Sequence, residues 1–117
     1  MLKFAAAFAM SAAFMTSAAL AQTDTMQTAY GNTVVVTEPS GAVVRYHFNA
    51  DGTFELIGPD NQPVNGTYSI ANGQICLTPA GGQAACTEYV GDKNVGDTWT
   101  QTATDGGQIT ITLQAGR

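Results

Sequence analysis

The stretch Val43-Val44-Arg45-Tyr46-His47-Phe48-Asn49-Ala50-Asp51-Gly52-Thr53-Phe54-Glu55-Leu56-Ile57 decides the fold. Apolar and polar side chains alternate on both sides of Ala50-Asp51-Gly52, the pattern of two half-buried strands whose successive side chains point to opposite faces. Three residues ending in Gly suit a hairpin loop with Gly in the left-handed conformation, and such a loop pairs Asn49 with Thr53. Phe48 then faces Phe54 and Tyr46 faces Leu56. Turn chemistry and hydrophobic pattern select the same register, and a slip of one residue would send all four side chains to the wrong face.

The same logic extends in both directions. Pro39-Ser40-Gly41 pairs Glu38 with Ala42 and sets Val36 against Val44 and Val34 against Tyr46. Asn72-Gly73 is a two-residue hairpin signal that sets Ile70 against Ile75 and Tyr68 against Leu77. Thr104-Asp105-Gly106 brings Trp99 opposite Ile111. Four turns and four matching registers predict an all-β chain, a small antiparallel up-and-down meander of about eight strands near residues 33–38, 42–49, 53–58, 66–71, 74–79, 84–90, 97–102 and 108–114. No segment after Tyr30 carries apolar residues at helical spacing. Closure into a barrel buries one face and removes edge strands, so a closed barrel filled by its inward side chains is expected, with an open β-sandwich as the alternative.

Upstream of the domain, Met1-Leu2-Lys3 precedes an apolar run from Phe4 to Phe14 and small residues ending in Ala19-Leu20-Ala21. A charged start, an apolar stretch and a small-x-small ending predict a cleavable signal peptide over residues 1–21; the alternative is an uncleaved membrane anchor. No cysteine follows the cut, so no lipid anchor is expected, and the product is placed in the periplasm or outside the cell. Residues 22–29, polar and without period, are expected to form a flexible leader to a single β domain over 30–117.

The 96 residues after the cut are enough for one domain. They carry Arg45, Lys93 and Arg117 against nine acids, a net charge of −6. Nucleic acid and anionic membranes attract basic patches, so neither is an expected partner; a protein or a small ligand is. Cys76 and Cys86 are the only cysteines. In an oxidising compartment they are expected to pair across a hairpin, closing a loop worth about 2–3 kcal/mol; a reactive thiol or a metal pair is the alternative, with only His47 to supply a further ligand or base.

Catalytic signals are sparse. The mature chain offers Ser40 at a turn and Ser69 in mid-strand, neither in a nucleophile elbow. Glu55 and Glu88 are available as a carboxylate pair for a hydrolase. The Asp/Asn/Gly clusters lack the spaced carboxylates of a calcium loop and are explained as turns, so no metal or cofactor is expected. Arg45, His47 and Glu55 fall together on the outer face of the second hairpin, as a recognition patch or as a cross-strand ion pair. Asp92, Lys93 and Asn94 lie in the longest connection without turn chemistry, 91–96, the best contact candidate among the loops.

The segments Val43–Thr53, Gly66-Thr67-Tyr68, Gly73–Pro79 and Val95–Trp99 resemble a group of small exported bacterial proteins of unassigned function. A barrel with one disulfide is also similar in architecture to lipocalin-like domains and to periplasmic barrels that inhibit lysozymes or proteases. Export, compactness, acidity and the absence of a catalytic constellation point to an exported, non-enzymatic binding module or inhibitor. The alternatives are an envelope structural or stress protein without a small-molecule target and, third, a carboxylate-based hydrolase.

Overall fold

The computed structural model describes residues 24–117; the expected signal peptide and Gln22 and Thr23 lie outside the described residues. A five-residue helix α1 (Thr25–Ala29) is followed by eight strands: β1 (Thr33–Thr37), β2 (Val43–Phe48), β3 (Thr53–Ile57), β4 (Pro63–Ala71), β5 (Gln74–Pro79), β6 (Ala85–Glu88), β7 (Thr98–Thr102) and β8 (Gln108–Gln114). All pair antiparallel in one sheet of order β6-β5-β4-β3-β2-β1-β8-β7. Because β8 returns to pair with β1, the sheet curls into a nearly closed barrel whose free edges, β6 and β7, face one another.

The turn-derived registers are those observed. Val34 lies opposite Tyr46 and Val36 opposite Val44; Phe48 opposite Phe54 and Tyr46 opposite Leu56; Ile70 opposite Ile75 and Tyr68 opposite Leu77; Trp99 opposite Ile111. Gly41, Gly52 and Gly106 adopt φ of 90°, 91° and 88°, and Asn72 φ of 56°. Each three-residue loop closes with the amide-to-carbonyl bonds its Gly permits, as in Asn49 to Thr53 and Gly52 to Asn49. Cys76 sits directly across the β5–β6 ladder from Cys86, and the two form a disulfide.

Two strand boundaries differ from expectation by more than one residue. β4 begins at Pro63, with Leu56 opposite Val64 and Phe54 opposite Gly66; Pro at a strand's first residue is compatible with a ladder, and Asn65-Gly66 hid the pairing. Gly66 is where an added Cβ would lie 2.6 Å from Phe54 Cζ and 2.5 Å from the Thr78 carbonyl, so the missing side chain is the space the Phe54 ring occupies. β6 ends at Glu88, short of the expected residue 90, because the chain turns there to meet α1.

The flexible leader expected over 22–29 is corrected for its described part. From Asp24 the chain is ordered against one end of the barrel, and Met26 and Ala29 are buried. Met26 joins Phe48 and Phe54 in the core. The Tyr89 hydroxyl donates to Asp24 Oδ1 at 2.6 Å and accepts the Met26 amide at 3.1 Å. Thr25 Oγ1 donates to the Val90 carbonyl and accepts the Lys93 amide, while Thr28 Oγ1 donates to the Lys93 carbonyl. Five residues are too few to show a helical period, and their anchoring partners lie more than 60 residues away; a local pattern search therefore found only polarity.

Candidate functional site

The inside of the barrel is filled unevenly. Under β2, β3 and β4 the rings interlock: Tyr46 stacks on Phe48 at 5.5 Å, Phe54 is tilted against both at 5.8 and 6.0 Å, and Tyr68 meets Phe48 edge-on at 5.2 Å. On β6 and after β7 the inward positions are small: Ala85, Thr87 and Ala103. A cavity of about 290 Å³ remains there, bounded by residues of β1, β2, β5, β6, β7 and β8 and closed at one end by Thr25, Met26 and Ala29. No residue of β3 or β4 lines it. The expectation of a barrel filled by its side chains thus holds for one half of the interior, and the other half is hollow.

The wall between β6 and β7 has no ladder and is closed by side chains. Gln101, 7 % exposed at an inward position, donates from Nε2 to the Glu88 carbonyl at 2.9 Å and to Thr87 Oγ1 at 3.2 Å, and its Oε1 accepts the Trp99 indole N–H at 2.8 Å. Thr87 Oγ1 in turn donates to the Thr102 carbonyl at 2.9 Å. Every polar atom of Gln101 is used, which is what makes its burial affordable in energy. Trp99 lines the cavity, and Lys93 Nζ lies 5.5 Å from the centroid of its ring.

At the end away from α1 the cavity reaches exposed residues, Glu38 and Thr104-Asp105. Glu38 continues the inward phase of Val34 and Val36, so its carboxylate stands at the rim on the interior side. Asp105 sits on the neighbouring β7–β8 tip, where Oδ1 accepts the Gly107 amide at 2.9 Å. The two tips touch: a Cβ on Gly107 would lie 3.1 Å from Pro39 Cγ. Burial, and after it the negative charge of Glu38, raises the Tyr46 phenol above its ordinary value. Neither Arg45, Lys93 nor Arg117 lines the cavity.

The residues singled out in the sequence fall elsewhere. His47 and Glu55 face each other across β2–β3, with Nδ1 to Oε1 at 3.2 Å, on the outer face. Arg45 is exposed beside them, and with His47 it borders a shallow depression that includes Arg117. Asp92, Lys93 and Asn94 lie at the α1 end, where the Lys93 backbone is held by Thr25 and Thr28 and Asn94 donates its amide to Asp97 Oδ2 at 2.8 Å. The two groups are not brought together. Glu55 and Glu88 are separated by β4 and β5, about 14 Å of sheet at the usual strand spacing, beyond the spans of a glycosidase pair. Among the described residues no cluster of three or more His, Cys, Asp or Glu is placed to hold a metal ion.

Sequence reasoning missed Glu38 and Gln101, and it favoured core packing for Tyr46, Tyr89 and Trp99 over the cavity wall they form. The signal was present as phase: Glu38 follows Val34 and Val36 at intervals of two, and the inward positions of β6 are Ala85 and Thr87, too small to fill their share of a barrel. Comparison with family models, with curated proteins and with solved structures returned no match to this chain.

Proposed function

We propose that the chain is a non-enzymatic binding module that takes a small, largely apolar molecule into the hollow half of its barrel and works outside the cytoplasm. One observation carries this: an apolar-walled cavity of about 290 Å³ beside a tightly interlocked aromatic core. Protein interiors hold few voids larger than a water molecule. The same chain packs β2–β4 densely, and occupancy by a ligand accounts for its not doing so under β5–β8.

The cavity wall offers hydroxyl, amide and carboxylate groups but no Ser, Cys or His, which favours binding over nucleophilic chemistry. The Cys76–Cys86 disulfide points to an oxidising, non-cytoplasmic environment, in keeping with the expected export signal.

The test uses Trp99, the single tryptophan, as reporter. Titrating the oxidised protein with 1-octanol is expected to shift Trp99 emission saturably with one site per chain. Ala103→Phe, which places a ring in the cavity, is expected to abolish that shift while leaving the folded far-ultraviolet spectrum. Absence of saturable binding by octanol, octylamine and benzene alike would overturn the proposal in favour of a structural role.

A further inference from the structure

The mouth of the cavity specifies a charge. Glu38 is the one carboxylate that the strand alternation carries inward, and it stands at the rim where a ligand occupying the cavity would place its polar end. Asp105 joins it from the adjoining tip, with one carboxylate oxygen engaged by the Gly107 amide. Neither acid has an ion-pair partner among the described residues, where the one salt bridge is His47–Glu55 on the outer face. No lysine or arginine among them lines the cavity, and the described part of the chain is strongly acidic. A carboxylate tail in this mouth would meet like charges against low-dielectric walls; an alcohol would gain little; a protonated amine would find two unpaired acceptors.

We infer that the ligand is a cation-tipped apolar molecule, its hydrocarbon body in the hollow half of the barrel and a primary ammonium group between Glu38 and Asp105. This rests on the proposed binding function and adds the ligand's chemical class. The size follows from the volume: an apolar cavity of roughly 150 Å³ accommodates benzene, so one about twice that size suits roughly ten to twelve non-hydrogen atoms. Burial is the main cause of the elevated Tyr46 phenol, and the anion at Glu38 adds to it by opposing formation of a phenolate in the wall.

The experiment compares three probes of one chain length, octylamine, octanol and octanoate, by Trp99 emission and calorimetry on the oxidised protein at low and moderate salt. Octylamine is expected to bind about tenfold more tightly than octanol, and octanoate more weakly than either; the advantage should shrink as salt rises. In Glu38→Gln/Asp105→Asn the amine and the alcohol should bind equally, at the wild-type alcohol affinity. Glu55→Gln, which removes the same kind of charge from the outer face, should leave the amine preference intact. Equal binding of all three probes, tighter octanoate, or an equal loss of preference in Glu55→Gln would overturn the charge assignment while leaving the cavity as a binding site. Failure of all three to bind would overturn the binding function itself. Should the double variant fold poorly, the ranking of the three probes on the wild-type protein decides alone.

Discussion

The β2–β4 side of the barrel and the side running from β5 through β8 to β1 hold together by different means. On the first side four rings and Met26 fill the interior, and Phe54 is only 2 % exposed, lying over the space that Gly66 leaves open. The second side surrounds a cavity, has small inward residues on β6, and is held by the Cys76–Cys86 disulfide, the Gln101 bridge and the bonds from α1 to the 89–93 segment. Packing is local and dense where nothing has to enter. Cross-links stand in for it where space is kept, because they fix strand positions without occupying volume.

The largest test of this contrast is a pair of truncations. Phe54→Ala should cost about 3–5 kcal/mol, since the ring leaves a hole bounded by Phe48, Tyr46 and the Gly66 backbone that cannot collapse. Ile109→Ala, on the cavity wall, enlarges a space that already exists and should cost about 2 kcal/mol or less, the transfer term without a new void. Denaturant unfolding of the two variants reads the difference; equal losses would mean that the two halves are packed alike.

Removal of the staple comes next. Cys76→Ser/Cys86→Ser should lose about 2–3 kcal/mol by the entropy of the released loop. β6 should loosen before β2–β4, because β6 is a four-residue edge strand with a ladder on one side alone. Hydrogen exchange would show residues 85–88 opening well below the global transition; uniform exchange through the sheet would break the division into halves.

The two halves were also unequally legible in the sequence. Every feature of the β2–β3 hairpin, from Phe48 opposite Phe54 to His47 opposite Glu55, follows from alternation and a three-residue turn, both local properties. The hollow half rests on what is missing from inward positions, Ala85, Thr87 and Ala103, and on Gln101, a polar residue whose burial makes sense only once the Glu88 carbonyl and the Trp99 indole are beside it. Alternation shows which face a residue takes and says nothing of whether the barrel around it is full. Arg45, His47 and Glu55 advertise charge in a short window, whereas the mouth joins Glu38 to Asp105 across 67 positions of chain.

The α1 end supplies a smaller effect with a pH signature. Burial first, and then the hydrogen bond to Asp24, push the Tyr89 phenol well above its ordinary value of 10.0; burial and the Tyr30 hydroxyl do the same for Tyr68. A folded-state value above the unfolded one means that the neutral phenol is favoured by folding. Its contribution is therefore complete below pH 10 and is lost as pH rises past 10 toward the folded-state value. The melting temperature should stay level to about pH 9 and fall above pH 10. Tyr89→Phe should lower stability by about 1 kcal/mol at neutral pH by stranding the Met26 amide, and should soften the alkaline fall. An alkaline profile identical in wild type and variant would detach α1 from this account.

The smallest effect is the sharpest, because it has opposite signs at facing positions. Val36 and Val44 are directly paired across β1–β2, yet Val36 lines the cavity and the buried Val44 does not. Adding one methylene at Val36 extends it into empty space, so Val36→Leu should gain up to about 0.8 kcal/mol from buried apolar surface, less the modest loss of strand preference that comes with removing a β-branch. The same addition at Val44 meets neighbours already in contact and should cost about 1 kcal/mol or more through overpacking. Thermal unfolding resolves a shift of that size in a domain of this length. If both variants lose stability alike, the space beside Val36 is not available to a methylene; a ligand's hydrocarbon body, which would need the same space, would then have no room on that wall.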